Sequence, residues 1–183
     1  ESDLSRFSMI MFDASTLPFD ENIRRTAEFV RARGGEIVIE GACDEIAEAT
    51  GDVRAQLTTP EAADRYVRDT GVDIIVANLG TEHRAGSANL TYYAERAREI
   101  TARVGPRLCL HGTSSVSHDQ IADLFDDGVR KVNIWTALER DTSGLLLERM
   151  VVHAAKIAGP DKASALQDAE LLGRLADVIS PPA

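Results

Sequence analysis

Two histidines stand where a divalent metal could be held. His83 follows Asn78-Leu79-Gly80-Thr81-Glu82, and His111 follows Leu108-Cys109-Leu110. Each comes just after a short apolar run of the kind that forms a buried strand. Side chains at the ends of neighbouring parallel strands converge, and neutral imidazole is the commonest ligand of zinc-like metals. Taken singly, either histidine could as well cap a helix or bond a backbone carbonyl. As a pair at consecutive strand ends they point to a metal. His118, at a helix start, and His153, inside an amphipathic stretch, read as surface or packing residues.

Other polar residues also follow apolar runs: Asp13, Glu40, and Asn133-Ile134-Trp135-Thr136. Gly112-Thr113-Ser114-Ser115 precedes a helix that should start near Ser117. Small residues there would let a phosphate approach backbone N–H groups, with the hydroxyls as further donors. Thr136 offers a second donor cluster, and adjacent late loops are a frequent phosphate site in α/β barrels. A glycine–serine turn is common in loops of every kind, so this signal is weak alone.

The elements that must position these groups alternate between short and long. The short runs are Met9–Phe12, Glu36–Glu40, Ile74–Ala77, Leu108–Leu110 and Lys131–Ile134. Most lack polar/apolar alternation, as strands buried on both faces of a parallel sheet do. Helices lie between them. One opens at Pro18-Phe19-Asp20-Glu21 and stops at Gly34-Gly35. One opens at Thr59-Pro60-Glu61 and ends at Gly71. A third covers 90–104, a fourth starts with the capping box Ser117–Gln120, and two more are expected over about 145–157 and 163–179. Strand–helix alternation gives a parallel α/β fold, either a doubly wound sheet or a barrel. No Gly-x-Gly-x-x-Gly turn follows a strand, which weakens a dinucleotide-binding reading.

The chain has 183 residues and a formal net charge of -10. Its length suits one domain but falls short of the roughly 250 residues of an eightfold barrel. The negative field disfavours nucleic acid. A phosphorylated substrate therefore needs a local cation or helix N-termini. Cys43 and Cys109 sit among apolar residues and read as buried free thiols of a reducing compartment. No apolar run approaches the roughly 18 residues of a membrane span, and Glu1-Ser2-Asp3 resembles no signal peptide. The expectation is a cytoplasmic protein with neither membrane nor nucleic-acid partner.

Four segments carry a family resemblance. The run from Phe12 through Asp13 and Pro18-Phe19-Asp20-Glu21-Asn22-Ile23 resembles the class II (metal-dependent) ketose-bisphosphate aldolase segment in which a strand-end Asp precedes PFEENI. Gly80-Thr81-Glu82-His83 resembles its GTSH motif, Leu110-His111-Gly112-Thr113-Ser114 its LHGxS, and Lys131-Val132-Asn133-Ile134-Trp135-Thr136 its KVNxDT. Order and spacing agree over about residues 7–160. The resemblance implies a (β/α)8 TIM barrel, with 1–183 as the C-terminal part of one domain and about three strands preceding Glu1. It implies a catalytic divalent metal, usually Zn2+, held by three histidines, of which His83 and His111 match the second and third. The first, with a catalytic acid/base aspartate, belongs upstream of Glu1. Asp13 matches a second metal site. Arg84, Gly112, Thr113, Ser114, Asn133, Trp135 and Thr136 match positions that contact substrate or phosphate.

The implied activity is that of an aldehyde-lyase (EC 4.1.2 type). It cleaves or forms a C–C bond in a phosphorylated ketose through a metal-stabilised enediolate, with dihydroxyacetone phosphate and an aldehyde as partners, in a homodimer or homotetramer. Glu45 and Glu48 are carboxylates on the loop that would exchange the enediolate proton, although solvation alone would also account for them. Three departures stand out. Ala42 replaces a glutamate of the second metal site, Arg84 a glycine, and Trp135 an aspartate that reads substrate hydroxyls. Indole cannot accept a hydrogen bond, so a substrate other than fructose 1,6-bisphosphate is expected unless Trp135 packs against a helix instead. A sugar-phosphate isomerase or epimerase, or a non-catalytic barrel subunit, are the alternatives.

Overall fold

The computed structural model describes residues 3–4, 6–44, 57–81, 92–113 and 116–153. The chain forms two compact units, Glu1–Ile134 and Trp135–Ala183. The first contains β1 (Met9–Phe12), α1 (Phe19–Arg33), β2 (Val38–Ala42), α2 (Pro60–Thr70), β3 (Ile74–Val76), α3 (Ala94–Val104), β4 (Leu108–Leu110), α4 (His118–Asp123) and β5 (Val129–Val132). The strands pair in parallel in sequential order, β1-β2-β3-β4-β5. A doubly wound sheet reverses its order at a switch point. An unreversed order is that of a β/α barrel, so the structure decides between the two architectures left open by periodicity.

Successive strand residues point to opposite faces. One face carries Ile39, Ile75, Leu108 and Leu110, which join residues of α2 and α3, such as Tyr66, Ala97 and Ile100, in the main core. The other carries Ala42, Val76 and Cys109, with Ile74 packed against them. Glu40, His111 and Lys131 are each two residues or one strand pairing from these and share that second face.

Helix ends follow local chemistry. Thr59 accepts from the Ala62 N–H ahead of Pro60, and Gly71 closes α2 at φ 76° in the left-handed region. Ser117 and Gln120 form the expected capping box. α3 starts at Ala94 rather than near residue 90, because the Tyr93 N–H is tied to the Leu79 carbonyl at the end of the preceding strand segment.

Two strands are shifted from their expected spans. β2 runs two residues later, so Glu40 is inside the strand and not at its end. Gly34-Gly35-Glu36 is consumed by a turn, with Gly35 at φ 89°. Gly41 pairs with Phe12 and Ile75 in the strand, and a Cβ there would meet Val72 Cγ1 at 2.7 Å and the Tyr66 hydroxyl at 2.8 Å, which favours glycine. β5 begins two residues early, directly after the turn at Gly128, φ 96°.

The second unit contains α5 (Thr136–Val152), which starts nine residues before the helix expected from about residue 145. It runs through Gly144, a residue that reads as a break. The helix expected at 163–179 lies outside the described residues. Among the described residues no helix is long and apolar enough to cross a membrane.

Candidate metal and substrate site

The second face of the sheet carries a buried polar cluster at its C-terminal end. Glu40 is wholly buried in β2, and His111 follows β4 at 7% exposure. The His111 Nε2 lies 3.0 Å from Glu40 Oε1. Lys131 of β5 places its Nζ 2.6 Å from Glu40 Oε2. That approach is off the hydrogen-bonding direction of Oε2, so the contact is chiefly ionic. Lys131 also donates to Asn133 Oδ1 at 2.5 Å, and Asn133 Nδ2 lies 2.7 Å from His111 Nε2. Cys109 Sγ accepts a long contact from Lys131 Nζ at 3.7 Å.

The electrostatics follow from these contacts. Burial alone pushes the Glu40 carboxyl up, but the contact with His111 and the close Lys131 ammonium hold it below the usual carboxylate range. Burial lowers Lys131, and Glu40 outweighs it and holds the ammonium above its ordinary value. Burial pushes the Cys109 thiol up to about 12, with Glu40 adding to it. Cys43 is raised for the same first reason.

Backbone ties draw the strand ends together. Thr81 donates its hydroxyl to the His111 carbonyl at 2.7 Å. The chain two residues before His83 is thus held against His111. Thr113 donates to the Asn133 carbonyl at 2.7 Å, which joins the ends of β4 and β5. Asn22 of α1 donates to the carbonyls of Ala42 and Cys43 at 2.9 and 3.1 Å and fixes the end of β2. Thr58 bonds Asp44 at 2.6 Å and receives the Asn78 N–H at 2.7 Å, which links the loops after β2 and β3.

The residues singled out in the sequence fall in several places. His111, Gly112, Thr113 and Asn133 are at the C-terminal ends of β4 and β5, and Gly112 adopts φ 68°. The Thr113 hydroxyl proton is committed to the Asn133 carbonyl. Asn133 is committed to His111 and Lys131. Asp13 follows β1, exposed, with its Oδ1 accepting from the Ser15 N–H and hydroxyl at 2.9 and 2.7 Å. Trp135 precedes α5 in the second unit and is 74% exposed, and Thr136 is the first residue of that helix. His83, Arg84, Ser114, Glu45 and Glu48 lie outside the described residues. His153 is the exposed C-cap of α5.

Among the described residues, one group of three brings metal-ligand atoms within 4.8 Å of one another: Glu40, Cys109 and His111. Asp13 is not part of it. The Lys131 ammonium already neutralises Glu40, so Glu40 serves as the partner of His111 rather than as a ligand. An imidazole that bonds a buried carboxylate through one nitrogen is the usual setting of a metal-binding histidine, and His111 fits that role. Glu40 and Lys131 were not anticipated as a site pair. Their signal was present as period two: Glu40-x-Ala42, Cys109-x-His111 and Lys131-x-Asn133 each set two side chains on one face.

The sequence matches the family model described as fructose-bisphosphate aldolase class-II over residues 2–172. It is 30% identical to a fructose-bisphosphate aldolase of Giardia intestinalis, covering 82% of this chain and 55% of that protein. It is also 30% identical to one of Treponema pallidum, covering 66% and 42%. The chain thus spans about half the length of these relatives. Among solved structures it is similar to the YdjI aldolase of Escherichia coli K12, with a TM-score of 0.63, 23% identity, and coverage of 94% of this chain and 60% of that one. A fructose-bisphosphate aldolase of Campylobacter jejuni gives a TM-score of 0.61 at 19% identity, covering 94% and 57%. These two likenesses bear on the fold, and both agree with sequential parallel strands of a barrel.

Proposed function

We propose that this chain, which belongs to the class II fructose-bisphosphate aldolase family, supplies the C-terminal part of a metal-dependent aldolase that cleaves or forms a C–C bond in a phosphorylated ketose. The observation that carries the reading is the His111 cluster at the end of β4, with the segment leading to His83 tied to the His111 carbonyl by Thr81. His111 and His83 would hold a divalent metal, zinc by the donor chemistry of imidazole. When bound, such a metal supplies Lewis-acid polarisation of the ketose carbonyl.

The chain's own groups then bind and orient. The left-handed turn at Gly112 and the N–H of Thr113 support a phosphate position after β4, and Ser114, Arg84 and Thr136 are proposed to add donors. Asn133 lies against His111, and Lys131 holds Asn133 and Glu40; Asn133 is also proposed to contact substrate. Asp13 would belong to a second cation position, which Ala42 deprives of a carboxylate. The acid/base aspartate belongs to sequence outside this chain. Trp135 supports a substrate other than fructose 1,6-bisphosphate, less hydroxylated where the indole meets it. Family membership extends the reading to a cytoplasmic homodimer or homotetramer acting on dihydroxyacetone phosphate and an aldehyde.

The test measures metal content and aldol cleavage of a panel of phosphorylated ketoses by the full-length protein and by His111→Ala. Stoichiometric metal in the wild type, lost in the variant together with cleavage, is expected. Undiminished metal in His111→Ala, or no cleavage of any phosphorylated ketose by the wild type, would overturn the reading.

A further inference from the structure

Resting on the reading of His111 and His83 as metal ligands, we propose that Thr81 is a positioning residue whose hydroxyl holds the end of β3 against the end of β4 and so fixes the His111 backbone where a metal is to be bound. The backbone ladders stop short of the site. β3 and β4 pair at Ile75↔Leu108 and Val76↔Cys109, where their register ends. β4 and β5 pair as far as Leu110 and Val132, and the Asn133 N–H donates to the Leu110 carbonyl at 2.9 Å. His111 comes next, and its carbonyl lies beyond both registers. Thr81, 2% exposed, donates its hydroxyl to that carbonyl at 2.7 Å. A side chain thus continues the β3–β4 seam where the main chain no longer does.

Two soft dihedrals decide where the His111 side chain leaves the backbone. Its φ turns against the Leu110–His111 peptide plane, whose carbonyl the Asn133 N–H holds from β5. Its ψ turns against the His111–Gly112 plane, whose carbonyl Thr81 holds from β3. Directly afterwards the chain bends through Gly112 at φ 68°. The segment that carries Thr81 is itself anchored. Asn78 donates its N–H to Thr58 Oγ1 at 2.7 Å and accepts the Thr58 N–H at 3.0 Å. Its Oδ1 accepts from the Gly80 N–H at 3.0 Å. The Leu79 carbonyl accepts from the Tyr93 N–H at 3.0 Å, and the Thr58 carbonyl from Arg96 Nη1 at 3.0 Å. A buried carbonyl needs a donor of some kind. A threonine fixed in this way makes that donor a tie between the two strands from which the metal ligands are read.

Titration of Co2+ into the full-length wild type, Thr81→Val, Thr81→Ser and Thr70→Val tests this, with a urea melt of each metal-free protein. Valine keeps the shape of Thr81 without the hydroxyl, and serine keeps the hydroxyl. Thr81→Ala is carried alongside and read in place of Thr81→Val if the valine variant does not fold. Thr70 is the control for a merely structural role, since its buried hydroxyl donates to the Tyr66 carbonyl at 2.6 Å within α2, away from the site. Thr81→Val is expected to bind Co2+ about tenfold or more weaker, with Thr81→Ser within about threefold of wild type and Thr70→Val within about twofold, even where its urea midpoint falls as far. Wild-type Co2+ affinity in folded Thr81→Val, equal weakening in Thr81→Ser, or equal weakening in Thr70→Val overturns this proposal and leaves the metal reading standing. Absence of Co2+ binding by wild type overturns the metal reading and this proposal with it.

Discussion

Replacing Asn22 by aspartate exchanges one NH2 for an oxygen with almost no change in volume. Asn22 is 1% exposed, and its Nδ2 donates to the carbonyls of Ala42 and Cys43 at 2.9 and 3.1 Å. Its Oδ1 accepts from Thr26 at 3.0 Å, and Thr26 in turn accepts from the Tyr66 hydroxyl. In Asn22→Asp the Thr26 bond survives, both carbonyls lose their donor, and a carboxylate oxygen faces them. An unsatisfied buried acceptor costs about 1–3 kcal/mol, and an uncompensated buried charge about 3–5 kcal/mol. The variant should lose about 3–5 kcal/mol at pH 7, or about 6–20 °C in Tm. Asn22→Ala, with no buried charge, should lose less.

The sign of the pH dependence is fixed by burial. The new carboxyl should have a folded pKa above the unfolded value of about 3.9. The folded state then binds more protons, and the penalty shrinks as pH falls through the folded pKa. Urea denaturation of wild type, Asn22→Asp and Asn22→Ala at pH 7 and pH 5 measures this. A loss below about 1 kcal/mol at pH 7 for the aspartate variant, or a penalty that grows at pH 5, would refute the view that Asn22 holds the end of β2.

Gly41→Ala should cost about 1–3 kcal/mol by overpacking, because its Cβ would meet Val72 Cγ1 and the Tyr66 hydroxyl below 3 Å; pairing it with Tyr66→Phe should recover part of the loss in guanidinium melts. Cys43 and Cys109 are buried thiols held above their ordinary range, so iodoacetamide at pH 8 should label neither until urea unfolds the chain, as mass spectrometry would show. Trp135→Asp in the full-length protein should raise cleavage of fructose 1,6-bisphosphate, where an acceptor for sugar hydroxyls replaces an indole that has none; ordinary turnover of that sugar by the unmodified enzyme would rule out Trp135 as a specificity determinant.

Much of the fold was legible because local rules and tertiary packing agree. Thr59-Pro60 and Ser117–Gln120 cap helices through the bonds their spacing implies; the runs at Met9, Ile74 and Leu108 are strands, those at Ile74 and Leu108 largely buried as apolar runs should be, while β1 is only half-buried. Boundaries failed where packing overrode composition. Gly41 and Ala42 read as loop, yet they pair with β1 and β3 as strand, and a glycine is needed at 41 because Tyr66 and Val72 fill the space a side chain would take. That two-residue shift moved Glu40 from a strand end into the buried sheet, which hid its pairing with Lys131. Of the candidate site, His111 was legible from its place after an apolar run. Nothing local in the sequence reveals that the Asn133 amide bonds Lys131 and lies against His111.

The same cluster bears on how so acidic a chain would recognise the phosphorylated substrate proposed for it. Lys131 is the cation that the described strands place on the site face, and its charge is spent 2.6 Å from Glu40. The pair is close to neutral at a distance, so it adds little attraction for an anion. On the proposed reading, a dianionic phosphate would rely on a bound metal, on backbone N–H groups near Gly112, which turns at φ 68°, and on the Arg84 guanidinium. Arg84 stands where the family resemblance has a glycine whose backbone serves phosphate. An arginine adds charge as well as a fork of donors, and charge is what this chain, at a net -10, otherwise lacks. On the proposed reading the arginine would strengthen a phosphate site against an unfavourable field, while the change at Trp135 would alter the part of the substrate that is read by hydroxyl contacts.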